Sequence, residues 1–211
     1  RAETHAFRVA PVIGDGLPTR AHVADASTGT DFSQGPIQQT GRDLDVAIQG
    51  EGWFALQTAA GDEAYTRSGN FQTDSTGQLV AHNGMTVLGD GGPISLPPNA
   101  NLVVARDGTV SAVPQGQSAV QVLGKLKLVN PPAADLQRGD DGLFRMRNGG
   151  SADADATVAV TSGALEGSNV NVVEAMVNMI ALSRSFEMHM KFLENAEAND
   201  RQASSVLTAA R

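Results

Sequence analysis

The residues best suited to catalysis or metal binding are the four histidines, because the chain contains no cysteine. They are His5, His22, His82 and His189. None has a second histidine or a carboxylate at the spacing that a metal-binding loop or helix requires. His189 falls within a helical pattern, where a histidine more often packs or faces solvent than binds a metal. We therefore predict no metal site and no cofactor-binding site.

Other motifs have the composition of functional sites but lack the context that each site needs. A glycine-rich phosphate cradle opens a helix, whereas Gly89–Gly92 is followed by Pro93–Leu96, which has a strand pattern. No Gly-x-Ser-x-Gly elbow for a serine nucleophile occurs. Two pairs of acidic residues lack the remaining ligands of a calcium loop: Asp43 with Asp45, and Asp153 with Asp155. We predict no catalytic residues and no enzymatic activity.

The composition excludes several further classes of protein. Fifteen Lys and Arg residues against 23 Asp and Glu give a net charge of −8, the wrong sign for general nucleic-acid binding. The absence of cysteine excludes disulfides, thiolate zinc sites and iron–sulfur clusters. Seven Phe, one Trp and one Tyr are too few for an aromatic stacking platform. A membrane span needs about 20 mainly apolar residues, and no such run occurs.

The distribution of glycine and proline indicates how the chain is divided. All 23 glycines lie at or before Gly167, the last proline is Pro132, and residues 168–211 contain neither. Because these residues interrupt helices, the pattern predicts a turn-rich β region followed by one long helix. We predict three parts: an extended connector over residues 1–41, an all-β domain over 42–163, and a C-terminal assembly helix over 164–211.

Period-two alternation begins at Asp43. Leu44, Val46 and Ile48 alternate with more polar residues, which predicts a half-buried strand, and Trp53–Gln57 follows as a second strand after a glycine turn. The remaining predicted strands are 64–67, 70–73, 78–81, 85–88, 94–96, 101–105, 109–113, 120–129, 143–146 and 156–161, with no helix among them. This pattern is typical of an irregular sandwich or barrel-like domain. Its predicted core is Leu44, Val46, Ile48, Trp53, Phe54 and Phe71.

The C-terminal stretch has the pattern of a long amphipathic helix. Asn171 followed by Glu174 predicts a capping box. Beyond it, a series with alternating spacings of three and four is apolar except at His189 and Asp200, which is typical of a coiled-coil seam. The series is Val172, Ala175, Met179, Leu182, Phe186, His189, Leu193, Ala196, Asp200, Ala203, Leu207 and Ala210. Such a seam requires a partner helix from another segment, another copy or another protein; the alternative is a helix that folds back over the sheet.

Three motifs resemble those of a known family. Leu165–Ile180 resembles the C-terminal signature of the flagellar axial proteins, the rod and hook components of the bacterial flagellum. Arg42–Phe54 and Tyr65–Phe71 resemble two further signatures of that family. The segments 91–94, 124–129 and 140–145 are more similar to a proximal-rod member than to its distal-rod relative. With the order and spacing of these motifs, the resemblance covers nearly all of the chain.

The resemblance implies a structural role. It implies a rod subunit of the flagellar basal body that is exported by the flagellar route. The implied partners are neighbouring proximal-rod and distal-rod subunits, and self-association is a further option. Family members begin with a helix that pairs with the C-terminal one, and the resemblance implies that Arg1 follows that helix, which is lacking here. An alternative from a different class is an exported, adhesin-like β-rich binding module on a helical stalk.

Overall fold

The computed structural model describes residues 3–11, 21–98, 101–113 and 119–209, with side chains for residues 29–98, 101–113, 119–199 and 201–202. The chain divides into two units, residues 1–169, which we call the β body, and residues 170–211. The predicted fold class is confirmed, because the β body is built from strands and the second unit contains one long helix, α1 (Val172–Ala209).

Eighteen strands occur in the described residues. The first nine are β1 (Glu3–Pro11), β2 (Ala21–Thr30), β3 (Ile37–Gln39), β4 (Val46–Gln49), β5 (Trp53–Gln57), β6 (Glu63–Thr66), β7 (Phe71–Thr73), β8 (Leu79–Ala81) and β9 (Thr86–Gly89). The others are β10 (Gly92–Pro93), β11 (Asn101–Val104), β12 (Thr109–Val113), β13 (Gln121–Lys125), β14 (Leu128–Val129), β15 (Leu136–Arg138), β16 (Phe144–Met146), β17 (Ala159–Ser162) and β18 (Ala164–Glu166).

The largest sheet has nine strands, and β5 is one of its inner strands. Its main path runs β15-β16-β6-β5-β9-β8-β7, with β14 paired to β5 and β10 to β9. Successive side chains of a strand point to opposite faces, so β5 contributes to two cores. Phe54 and Leu56 join one apolar cluster, and Trp53 and Ala55 join the other. All four are buried, which explains why this strand is a continuous apolar run.

Two of the smaller sheets are joined to the large one through the first apolar cluster. Three strands form the sheet β11-β12-β13, and β17 pairs with β4. The cluster takes Val104 and Val110 from the three-stranded sheet and Val160 from β17, together with Phe54 and Leu56. The predicted core residues Val46, Ile48, Phe54 and Phe71 meet in this cluster, Leu44 packs against it partly buried, and Trp53 lies in the second cluster.

The strand β4 is more deeply buried than alternation predicts. Val46, Ala47 and Ile48 are all fully buried, so the expectation of a half-buried strand is wrong. Backbone pairing on both edges accounts for part of this burial: β17 pairs along one edge, and the Val46 amide donates to the carbonyl of Gly69. Ala47 is small and apolar, so it is also suited to the interior.

Some predicted elements differ from the structure. The segment 94–96 forms only an isolated bridge, between Ser95 and Gln78. The predicted strand 120–129 is split, because Leu126 donates its amide to Gly108 in the β11–β12 turn while Lys127 donates to Leu88 of β9. The chain therefore changes sheets at this point. A single 3-10 turn, Ala133–Asp135, lies in the region where no helix is predicted.

The segment interpreted as a connector contains strands that periodicity did not predict. β1 and β2 pair as an antiparallel hairpin. Beyond them, β3 pairs with β18, with Ile37 opposite Glu166 and Gln39 opposite Ala164. We call this two-stranded ribbon, with Gly35, Pro36 and Gly167 at its end, the neck. One of its two strands, β18, is the last strand of the β body before α1.

Candidate assembly interface

The C-terminal helix begins at a cap supplied by Asn171. The Oδ1 atom of Asn171 accepts hydrogen bonds from the amides of Val173 at 3.1 Å and Glu174 at 3.3 Å. These bonds confirm the Asn171 half of the predicted capping box, in which the side chain accepts from amides that have no partner within the helix. The helix continues for 38 residues without Gly or Pro. At 1.5 Å per residue it is about 57 Å long.

The predicted seam is exposed along the part of the helix whose side chains are described. Leu182 is 73% exposed, Met179 71% and Phe186 66%. Val172, Ala175, Leu193 and Ala196 are exposed as well, as is His189. Ala203 and Leu207 belong to the helix, but their side chains, like that of Asp200, lie outside the described residues, as does Ala210. Large exposed apolar surfaces of this kind mark interfaces.

A second apolar face of the helix was missed by the sequence analysis. It consists of Val173, Val177, Ile180 and Met188, each more than half exposed. With 3.6 residues per turn, this face and the seam together occupy roughly 240° of the circumference over the first three turns of the helix, residues 172–182. The opposite side is a polar strip of Glu174, Asn178 and Ser185, and Arg184 and Glu187 interrupt the second face further along. Projection of every apolar residue at 100° per residue, rather than tracing of one series, would have found it.

The width of this apolar surface changes what the helix requires. A coiled-coil seam covers a narrow stripe that one partner helix can bury. A surface that extends around two-thirds of a helix needs cover on more than one side, as in the interior of a protein. No helix in the described part of the chain has the length and hydropathy that a membrane span needs.

The acidic residues and histidines that are candidates for catalysis or metal binding either stabilise turns or lie apart from one another in the structure. Asp155 accepts from both the amide and the hydroxyl of Thr157, and these hydrogen bonds lower the pKa of Asp155. Asp45 is buried with Oδ1 3.6 Å from an Arg42 nitrogen. Among the described residues no three His, Asp or Glu side chains gather as metal ligands. The Nδ1 atom of His82 lies 3.4 Å from the side-chain Nε2 atom of Gln72. The side chains of His5 and His22 are outside the described residues.

A folded β body is joined in this chain to a long helix with exposed apolar side chains, a surface that is typical of interfaces with other proteins. The family model described as flagellar hook protein FlgE/F/G D1 domain matches residues 47–112. The model described as flagellar basal body rod FlgEFG protein C-terminal matches residues 161–206. The second match contains most of α1, and the first contains the strands β5 to β11.

Individual relatives agree with the family models. Flagellar basal-body rod protein FlgF of Escherichia coli (strain K12) is 46% identical over 99% of this chain and 86% of its own length. FlgF of Salmonella typhimurium is 43% identical over the same shares. The rod protein FlgG of Buchnera aphidicola subsp. Acyrthosiphon pisum is 35% identical over 86% of this chain and 72% of its own length. The chain belongs to the flagellar rod and hook protein family, as its sequence motifs predicted.

Proposed function

We propose that this protein is a structural subunit of the flagellar basal-body rod, in its proximal part, and that it joins the rod through its C-terminal helix. The observation that carries this proposal is the exposed apolar surface of α1, with Leu182, Met179 and Phe186 each about two-thirds or more exposed. The names of the FlgF relatives and the match to the rod C-terminal model over residues 161–206 support it.

The breadth of the apolar surface favours packing among several helices. Burial of a Val, Leu, Met or Phe side chain contributes about 1.5–3 kcal/mol, so a row of them supports strong association. Two faces, one centred on Met179 and the other on Val177, are best covered by different neighbours. We infer that α1 packs within a layer of helices from adjacent subunits, which are proximal-rod or distal-rod proteins or further copies of this chain.

The proposed role involves no chemical step. The subunit transmits torque through many non-covalent contacts, with α1 in the helical layer and the β body as a further layer of the rod. Its location is the basal-body rod, which it reaches by the flagellar export route. A structural role accounts for the turn-stabilising hydrogen bonds of residues such as Asp155 without catalysis.

The experiment is complementation of a strain whose own copy of this gene is deleted. We expect the deletion strain to be non-motile, and the tagged protein to restore swimming and to be recovered in purified basal bodies. An empty vector is the control. Restored swimming without the protein in basal bodies, or normal swimming of the deletion strain, would contradict the proposal.

A further inference from the structure

A buried ion pair fastens the neck to the rest of the β body. Arg67 Nε lies 2.7 Å from Glu166 Oε2, with the two side chains 9% and 3% exposed. The other two guanidinium nitrogens of Arg67 donate to the carbonyls of Gly52 and Gly50, each at 2.8 Å. The second carboxylate oxygen of Glu166 accepts from the Gly35 amide at 2.9 Å. One pair thus connects the turn between β4 and β5 to both strands of the neck.

The two strands of the neck approach each other unusually closely at their end. The Gly167 amide donates to the carbonyl of Pro36 at 2.8 Å. A Cβ atom on Gly35 would lie only 2.2 Å from the Gly167 carbonyl oxygen, so a side chain at this position would force the strands apart. This close contact places the backbone of residue 35 within reach of the Glu166 carboxylate.

Apolar burial in the neck comes from only one of its strands, β18, whose Ala164 is buried. All three residues of β3 are exposed, and Ile37 is 44% exposed. An isolated two-stranded ribbon is marginally stable in water. The amides of Gly163 and Ala164 donate to the Asp45 carbonyl at one end of the neck, and the Arg67–Glu166 pair attaches the other end to the rest of the β body. Buried pairs lose far more than exposed ones when one partner is removed, because the other charge is left without compensation.

The Arg67–Glu166 pair lies near the point in the chain where the β body leads into α1. Glu166 is four residues before Val170, where the second unit begins. Asn169 is the last residue of the β body, and its side-chain amide donates to the Asp31 carbonyl at 3.0 Å. The covalent path from α1 into the β body therefore passes through the strand that Arg67 binds.

We propose that Arg67 is a positioning residue that clamps Glu166, so that force entering the β body from α1 does not open the neck. This proposal rests on the proposed function, because it takes α1 to be the segment held within the rod. Arg67 suits the role since its planar guanidinium donates from three separate nitrogens to three acceptors, whereas a lysine has a single nitrogen. Glu166 supplies the counter-charge and the acceptor for Gly35.

The first test is amide hydrogen exchange on the purified full chain carrying Arg67→Lys or Glu166→Gln. Both variants preserve approximate size, and the matched controls are Arg145→Lys and Asp141→Asn, from a pair whose side chains are 36% and 33% exposed. We expect exchange at Gly35 and Gly167 to rise at least about tenfold in the clamp variants. Exchange at Ala55 and Val160, which bond to Lys127 and Arg106, should change less than about twofold.

The outcomes of the exchange measurement separate a local clamp from general stability. An equal rise at neck and core amides would overturn the proposal, because the pair would then support only the whole fold. Unchanged exchange at Gly35 and Gly167 would also overturn it. The control variants should show less than about a twofold change at all four amides.

The second test is swimming speed as a function of medium viscosity. Cells with the Glu166→Gln variant should contain the normal amount of this protein in basal bodies, swim normally in dilute medium and lose speed more steeply than wild type as viscosity rises. A wild-type viscosity profile, or loss of the variant from basal bodies, would overturn the clamp. The rod proposal itself fails if the unmodified protein is absent from basal bodies or if the deletion strain swims normally, so the two failures are distinguishable.

Discussion

The Tyr65 hydroxyl accepts a hydrogen bond from the Ala152 amide at 2.7 Å, which links strand β6 to a loop 87 residues further along the chain. The same hydroxyl donates to Glu63 Oε2 at 3.0 Å, and Glu63 forms an ion pair with Lys127. Tyr65 is fully buried, so its polar atom depends on these partners. This hydrogen-bonded chain connects three segments on one face of the large sheet.

Replacement of Tyr65 by Phe should lower the free energy of unfolding by about 1–3 kcal/mol, because the buried Ala152 amide loses its acceptor. Urea unfolding followed by the fluorescence of Trp53, the one tryptophan, measures the change. The denaturant slope should stay the same, since the variant exposes a similar surface on unfolding. An unchanged midpoint would show that the hydroxyl contributes nothing to the stability of the body.

Stability should fall at alkaline pH because of the same side chain. Burial raises the pKa of Tyr65 to about 12 from an ordinary value of 10.0. Between these values the folded state keeps a proton that the unfolded state has lost, so the free energy of unfolding declines as pH rises from about 10 to about 12. Tyr65 is the one tyrosine in the chain, so tyrosinate absorbance reports its titration directly. Titration near pH 10 in the folded protein would contradict the burial argument.

A methyl group at Gly69 should destabilise the β body. A Cβ atom there would lie 1.7 Å from the carbonyl oxygen of Val46, so β4 would have to move away and lose its hydrogen bond to the Gly69 carbonyl. We expect Gly69→Ala to cost about 2–4 kcal/mol in thermal or urea unfolding. Gly91→Ala is the matched control, because nothing lies within 4 Å of its Cβ position. Equal stabilities of the two variants would show that the close approach is not required.

Sequence patterns predicted the strands of the β body well where one signal, an apolar run or a glycine turn, dominates. The apolar run at β5 and the glycine turns fixed strand positions, and Trp53–Gln57 has the bounds that the sequence predicts. Patterns failed where pairing with a distant segment of the chain determines which strand forms. The change of sheets at Leu126 and the ribbon of β3 with β18 depend on backbone bonds to segments far away in the chain. Local periodicity contains no information on such pairs.

The assembly interface could be predicted in part. Spacings of three and four predicted a seam through Met179 and Leu182, two side chains that the structure shows to be exposed. The absence of glycine and proline predicted a long helix. The series with alternating spacings of three and four contains no residue of the second face around Val177, so it predicts only one of the two apolar faces. The Arg67–Glu166 pair could not be predicted, since its two members are 99 residues apart and belong to different motifs.

The central claim is that apolar side chains of α1 bind the subunit into the rod, and the most direct measurement is the amount of a seam variant in purified basal bodies. Met179→Gln combined with Leu182→Gln removes two exposed apolar side chains while keeping good helix formers. Asn178→Gln combined with Ser185→Gln is the matched control on the polar strip. Incorporation of the seam variant should fall at least about tenfold, since two apolar side chains lose their burial, while the control assembles normally. Normal incorporation of the seam variant, with a body that unfolds like wild type, would contradict the account.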